Sequence, residues 1–124
     1  MKDFNKDFKY DLSFGVLNGE TWFHEIMTNK TIEVKSDRIT AKTGNVYIEY
    51  ESRGKASGIA TSQADYWVYK FDDESAIIFK TDALKSKLKK LVALGIAKAE
   101  IKGGDDKTSL GILLSLKDLL YYEN

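Results

Sequence analysis

The chain has 124 residues, 43% of them hydrophobic, which suits one domain (1–124) around a single core. Nineteen basic and nineteen acidic side chains cancel, so no molecule-wide field attracts polyanions, and any nucleic-acid contact must come from a local basic stripe. The absence of cysteine excludes disulfides, thiolate metal sites and cysteine nucleophiles, and a single histidine leaves zinc without its usual ligands.

The opening Met1–Asp7 stretch lacks the apolar run of a signal peptide. No segment approaches the roughly 18 apolar residues that span a bilayer. A soluble cytoplasmic chain, with no membrane partner, is therefore expected. The stretch to Asp11 is polar with interspersed aromatics and reads as an arm. Ser13 is placed to cap a helix running to Met27 or Thr28. Asn18 is the alternative start, because Gly15 and Gly19 each cost about 1 kcal/mol against alanine inside a helix. At helical spacing Glu20 falls among Val16, Leu17, Phe23 and Met27, on the apolar stripe, while Glu25 lies away from it. A carboxylate aimed inward needs a partner.

Two segments then alternate at period two, Thr31–Asp37 and Gly44–Glu51. Ile32, Val34 and Ser36 take one face of the first; Glu33, Lys35 and Asp37 take the other. In the second, Val46, Ile48 and Tyr50 oppose Tyr47, Glu49 and Glu51. The Arg38–Gly44 connection between them predicts an antiparallel hairpin. Four acids and Lys35 would then share one face. Clustered carboxylates repel unless a cation sits among them, and a divalent metal is the usual solution. The competing reading is the exposed face of an ordinary amphipathic hairpin, with Glu33 or Glu51 paired to Lys35.

Arg53–Gly58 follows as a glycine-containing loop. Its cations Arg53 and Lys55, with Ser57 and exposed amides, suit a DNA phosphate contact; an ordinary strand connection is the alternative. Ala64–Phe71 and Ser75–Lys80 read as strands around an Asp72-Asp73 turn. Thr81 or Asp82 caps a helix through Leu94, with Leu84, Leu88 and Leu91 as its buried stripe and Gly95 as its stop. Lys85, Lys87, Lys89 and Lys90 flank that stripe and read as a solvated face, with a DNA-backbone stripe as the other reading. Strands at Ile96–Ile101 and Leu110–Leu116, a Gly103–Asp106 turn and a short helix at Lys117–Tyr122 complete the chain. Tyr66 and Trp67 read as core, and His24 as an ordinary histidine. The expected class is α/β: a central mixed sheet with flanking helices.

Four strings carry a family resemblance: Glu33-Val-Lys35-x-Asp37; Thr43-Gly44-Asn45 through Ile48-Glu49-Tyr50-Glu51; Gly54-Lys55-x-Ser57-Gly58-Ile59; and Ala64-Asp65-Tyr66-Trp67. Together they resemble small phage-encoded members of the PD-(D/E)XK nuclease superfamily, over Leu12 to Lys90. The resemblance implies an α-β-β-β-α-β restriction-endonuclease-like core and a DNA endonuclease using Mg2+ or Mn2+. Under it, Glu20 matches the helix acid, Glu49 the second-strand acid, and either Glu33 or Asp37 the first-strand acid that binds metal. Glu51 stands where the family usually has lysine, so Lys35 is the candidate positive charge and Glu51 a general base. A competing assignment makes Glu33-x-Lys35 the acid-x-lysine pair with Asp11 upstream, against the family's element order. A homodimer is expected, because so small a domain cutting both strands needs two sites. The rival from another class is a non-catalytic phage protein that uses the fold to bind DNA or a host protein.

Overall fold

In the computed structural model, which describes residues 19–104 and 106–122, the first helix is α1 (Thr21–Met27). The expected cap at Ser13, the alternative start at Asn18, and Asp11, Val16 and Leu17 lie outside the described residues. Within α1 the buried residue is Ile26, whereas Phe23 and Met27 are 49% and 63% exposed and Glu20 is exposed too. The described members of the stripe expected from helical spacing are thus exposed. Periodicity says which residues share a side, not which side meets a core.

The chain divides into two compact units, Met1–Thr31, which contains α1, and Ile32–Asn124. The second unit carries two sheets. The first has the order β1 (Ile32–Ser36), β4 (Tyr66–Lys70), β5 (Ala76–Lys80); β1 runs parallel to β4, and β5 antiparallel. The second is antiparallel throughout, in the order β3 (Lys55–Ala56), β2 (Asn45–Ser52), β7 (Ser109–Ser115), β6 (Lys98–Gly103). Helices α2 (Thr40–Thr43), α3 (Thr81–Ala93) and α4 (Leu116–Tyr121) complete an α/β unit that contains a mixed sheet.

The expected hairpin does not form. β1 pairs with β4, and β2 pairs with β3 and β7. The connection between β1 and β2 is taken up by α2, which periodicity missed. Asp37 Oδ1 accepts from the backbone N–H of Ile39 (2.9 Å) and Thr40 (3.0 Å), satisfying two donors that the start of a helix leaves open. Gly44, at φ +74°, ends the turn in the left-handed conformation that glycine adopts without strain. The segment therefore coils rather than folding β2 back onto β1.

Alternation itself holds in β1, but its register decides which face matters. Glu33 lies opposite Trp67 and Lys35 opposite Tyr69, both buried rings, while Ile32 and Val34 are 38% and 55% exposed. The polar face of β1 thus continues the inner face of its sheet.

The core of this unit joins Leu84, Leu88 and Leu91 of α3 to Val46, Ile48, Trp67, Tyr69, Leu114 and Leu119. The leucine stripe and the Gly95 stop (φ +75°) are as expected. Thr81 is not the cap: it is the first helical residue, its side chain is buried, and the N-cap position is Lys80. On β2 the Tyr47 ring lies over Gly103 and Gly111, where an added Cβ would come within 2.5 Å of Cζ. Its hydroxyl lies 3.0 Å from both the Ile101 carbonyl and Ser109 Oγ. Tyr47→Phe leaves those partners unmatched and should cost about 1–2 kcal/mol. Urea unfolding checks this; an unchanged midpoint would mean that water replaces the phenol.

Between Glu49 and Glu51 the ladder slips, with Glu49 opposite Gly111 and Glu51 opposite Leu110. Two residues of β2 advance against one of β7, which makes a β-bulge at Tyr50. Residues paired across strands share a face. Glu49 therefore joins Tyr47 on one face, and Glu51 joins Leu110 on the other.

Candidate active site

A cavity of about 510 Å³ opens where the end of β1 meets β2 and β4. Lys35, Asp37 and Arg38 line it from one strand end, Tyr47 and Glu49 from β2, Trp67 and Tyr69 from β4. Asp37 reaches it from just before α2, held by the Ile39 and Thr40 N–H groups through Oδ1, with Oδ2 taking no hydrogen bond among the described residues. Glu49 accepts from Ser57 Oγ through Oε2 (2.9 Å), which leaves Oε1 likewise unengaged. One carboxylate just past the end of β1 and one on β2 thus line the same cavity.

Glu33 does not line the cavity. Its Oε1 accepts from Ser62 Oγ (2.7 Å), and its Oε2 pairs with Lys35 Nζ (2.9 Å). The ammonium in turn sits 5.6 Å from the centroid of the Trp67 ring, within cation–π range. Burial pushes the Tyr69 phenol well above its ordinary range, so it stays neutral. The indole N–H of Trp67, 1% exposed, has no well-aligned hydrogen-bond partner among the described residues.

The Ser62 hydroxyl is the largest influence holding the Glu33 carboxyl below its ordinary value; burial opposes it, and Lys35 adds through its hydrogen bond and charge. A carboxyl depressed on folding contributes stability above its unfolded value and loses it as pH falls through the folded one. The melting temperature should therefore fall as pH drops below about 4.5. Asp72, held down by the Glu74 N–H, and Asp106, held down by the Thr108 hydroxyl, add to that acid limb. Glu33→Gln should flatten its share of it. An acid limb as steep as wild type's would show that the Ser62–Glu33–Lys35 contacts are not maintained in solution.

Of the residues expected at the site, Lys35, Asp37 and Glu49 share the cavity and Glu33 stands behind Lys35. Of the two alternatives for the first-strand acid, Asp37 lines the cavity with Glu49 and Glu33 does not, and no three acidic or histidine side chains group closely enough to hold a metal among the described residues. The parallel pairing of β1 turns Glu33 toward Ser62 instead. Glu51 is carried to the opposite face by the Tyr50 bulge, and its side chain makes neither hydrogen bond nor ion pair among the described residues. Glu20 and His24 belong to the other unit.

The Arg53–Gly58 loop is tighter than expected. Arg53 (φ +51°) and Gly54 (φ +78°) form the two-residue turn between β2 and β3, the left-handed pair that such hairpins require. Arg53 stands 3.8 Å from Asp106, and Lys55 is exposed. Ser57 spends its hydroxyl on Glu49. The chain does not single out Ser62, Arg38, Tyr47 or Tyr69 for the site; strand pairing in the two sheets and the packing of the 57–62 segment bring them in.

Magnesium is commonly held by one or two carboxylates, with waters and substrate phosphate completing its shell. Asp37 and Glu49 fit that donor set; a three-carboxylate cage they do not make. Comparison with known protein families, with characterised proteins and with solved structures gives no match for this chain. No helix among the described residues is long and apolar enough to cross a membrane.

Proposed function

We propose that this cavity is the site of a divalent-metal-dependent DNA endonuclease. The observation that carries the reading is the meeting of Asp37 and Glu49, each with an unengaged oxygen, beside the Lys35 ammonium. Asp37 and Glu49 would hold Mg2+ or Mn2+, which when bound supplies an acidified water and neutralises charge on the phosphoryl group. Lys35, steadied by Glu33 and the Trp67 ring, is placed to donate to a phosphate oxygen. Arg38 and Lys55, both exposed, are the cations available to the DNA backbone. Ser57, engaged by Glu49, serves the site from inside. The general-base role suggested for Glu51 is not part of this reading, because its strand face is the wrong one.

The finer fold reading, a restriction-endonuclease-like core, rests on the resemblance and on the succession α1, β1, β2, β4, α3, β6, between which α2, β3 and β5 are interposed. It is a correspondence of order rather than of ladder, since β1 and β2 belong to separate sheets. Two copies acting on opposite strands complete the proposal.

One observation favours the rival reading of a DNA- or protein-binding module. Lys35 is already matched by Glu33, and the second acid of the Glu49-x-Glu51 pair is turned away. Incubating purified protein with supercoiled plasmid and a four-way junction, in Mg2+, Mn2+ or chelator, separates the two. Cutting that requires the metal supports the nuclease. No cutting, together with no metal uptake by calorimetry, removes it and leaves the binding module.

A further inference from the structure

The segment that joins β3 to β4 reaches a carboxylate on each of the two sheets. Ser57 Oγ donates to Glu49 Oε2 (2.9 Å) on one sheet, and Ser62 Oγ to Glu33 Oε1 (2.7 Å) on the other. Glu33 passes the constraint on, because its second oxygen holds Lys35 Nζ at 2.9 Å. We propose that Ser57–Ser62 is the positioning clamp of the site: Ser57 orients the Glu49 carboxylate, and Ser62, through Glu33, orients the Lys35 ammonium. As a statement about metal and phosphate chemistry this rests on the nuclease reading above.

The segment is built to hold still. Its centre is a 3-10 turn, Gly58–Ala60, closed by Ala60 N–H to the Ser57 carbonyl (3.1 Å) and Ser62 N–H to the Gly58 carbonyl (3.1 Å). Ile59 buries its side chain in the core, 4% exposed. Ser57 N–H donates to the Tyr50 carbonyl (3.0 Å), which ties one end to β2 at the bulge. Lys85 of α3 donates to the Ser62 carbonyl (2.9 Å) and ties the other.

Ordinary loop serines use their hydroxyls on nearby backbone. Ser57 sits at the N-cap of the 3-10 turn, yet makes no side-chain cap there; its hydroxyl reaches Glu49 instead. Ser62 is 8% exposed, and its one short side-chain contact is the carboxylate; the Ala64 N–H lies at 3.4 Å. Groups that hold a metal-binding carboxylate from behind set its orientation. Losing such a group costs about 10- to 100-fold in metal affinity.

The test measures Mn2+ affinity by calorimetry for wild type, Ser57→Ala and Ser57→Thr, and melting in chelator for Ser57→Ala, Glu49→Gln, Ser62→Ala, Glu33→Gln and the two matched double variants. Ser57→Ala should weaken Mn2+ binding by about 10-fold or more while it melts cooperatively in chelator, and Ser57→Thr, which keeps the hydroxyl, should recover it. The melting shifts of Ser57 with Glu49, and of Ser62 with Glu33, should be non-additive. A folded Ser57→Ala that binds Mn2+ as tightly as wild type overturns the clamp and leaves the nuclease reading intact. Wild type that binds no Mn2+ removes the nuclease reading, and the melting cycles then decide alone. Non-additive pairs uphold the clamp; additive pairs overturn it.

Discussion

Glu49→Ala should lower metal-dependent cleavage by about 100- to 1,000-fold, the rate equivalent of several kcal/mol of lost transition-state stabilisation. Glu49 is one of two carboxylates facing the cavity, and its loss leaves Asp37 alone with the metal. The side chain is half-buried and outside the core cluster, so stability measured by melting in chelator should fall only by the lost Ser57 hydrogen bond, about 1 kcal/mol. Initial rates on supercoiled plasmid, at Mn2+ concentrations that saturate wild type, measure the effect. Asp37 needs a finer substitution, because Asp37→Ala also removes the acceptor for the Ile39 and Thr40 N–H groups at the start of α2, worth about 1 kcal/mol. Asp37→Asn keeps an oxygen for the Ile39 and Thr40 N–H groups and removes the charge. It should match the loss in rate with a smaller loss in stability. Wild-type rates in both Glu49→Ala and Asp37→Asn would move the chemistry elsewhere in the molecule.

Gly58→Ala should destabilise the protein by about 2–4 kcal/mol, adding a left-handed backbone penalty to an overlap in a packed region. Gly58 has φ +53°, and a Cβ there would collide with the backbone carbonyl of Glu49 and crowd the Glu49 Cβ at 3.3 Å. The obstacle is strand backbone, which cannot swing aside as the end of a side chain can. Relief requires moving either β2 at Glu49 or the 3-10 turn that presents Ser57, so metal affinity should fall along with stability. Gly54 is the internal control: its φ is +78°, but nothing lies within 4 Å of its added Cβ. Gly54→Ala should therefore cost only the conformational penalty, about 1–2 kcal/mol. Urea midpoints for the two variants give the comparison. Equal losses would mean that the close approach at Glu49 relaxes without cost.

What is written in neighbouring residues could be read from the chain. Leu84, Leu88 and Leu91 are four and three apart, and that spacing alone makes one helical stripe that is buried in α3. Gly95 ends the helix because a left-handed residue is needed there, and Tyr66 and Trp67 lie in a strand dense in aromatic and β-branched residues. The alternation of Glu33 and Lys35 against Ile32 and Val34 is real for the same local reason. So is the α/β class, which follows from the succession of such segments.

Partner choice is a different kind of fact. Alternation separates the two sides of β1 but does not say which side faces inward; pairing with β4 did, and it put the acid and the lysine beside Trp67 and Tyr69. Glu49 and Glu51 are two apart and would share a face in any regular strand. One extra residue against β7 parts them, and that slip depends on pairing with a strand far later in the chain. Ser57, expected to contact phosphate, and Ser62, which the chain does not single out, meet carboxylates only because the 3-10 turn carries one hydroxyl to each sheet. Local periodicity depends on backbone geometry, which every short segment carries with it. Register, bulges and cross-sheet hydrogen bonds depend on which distant strands win the competition for burial, and only the packed molecule decides that.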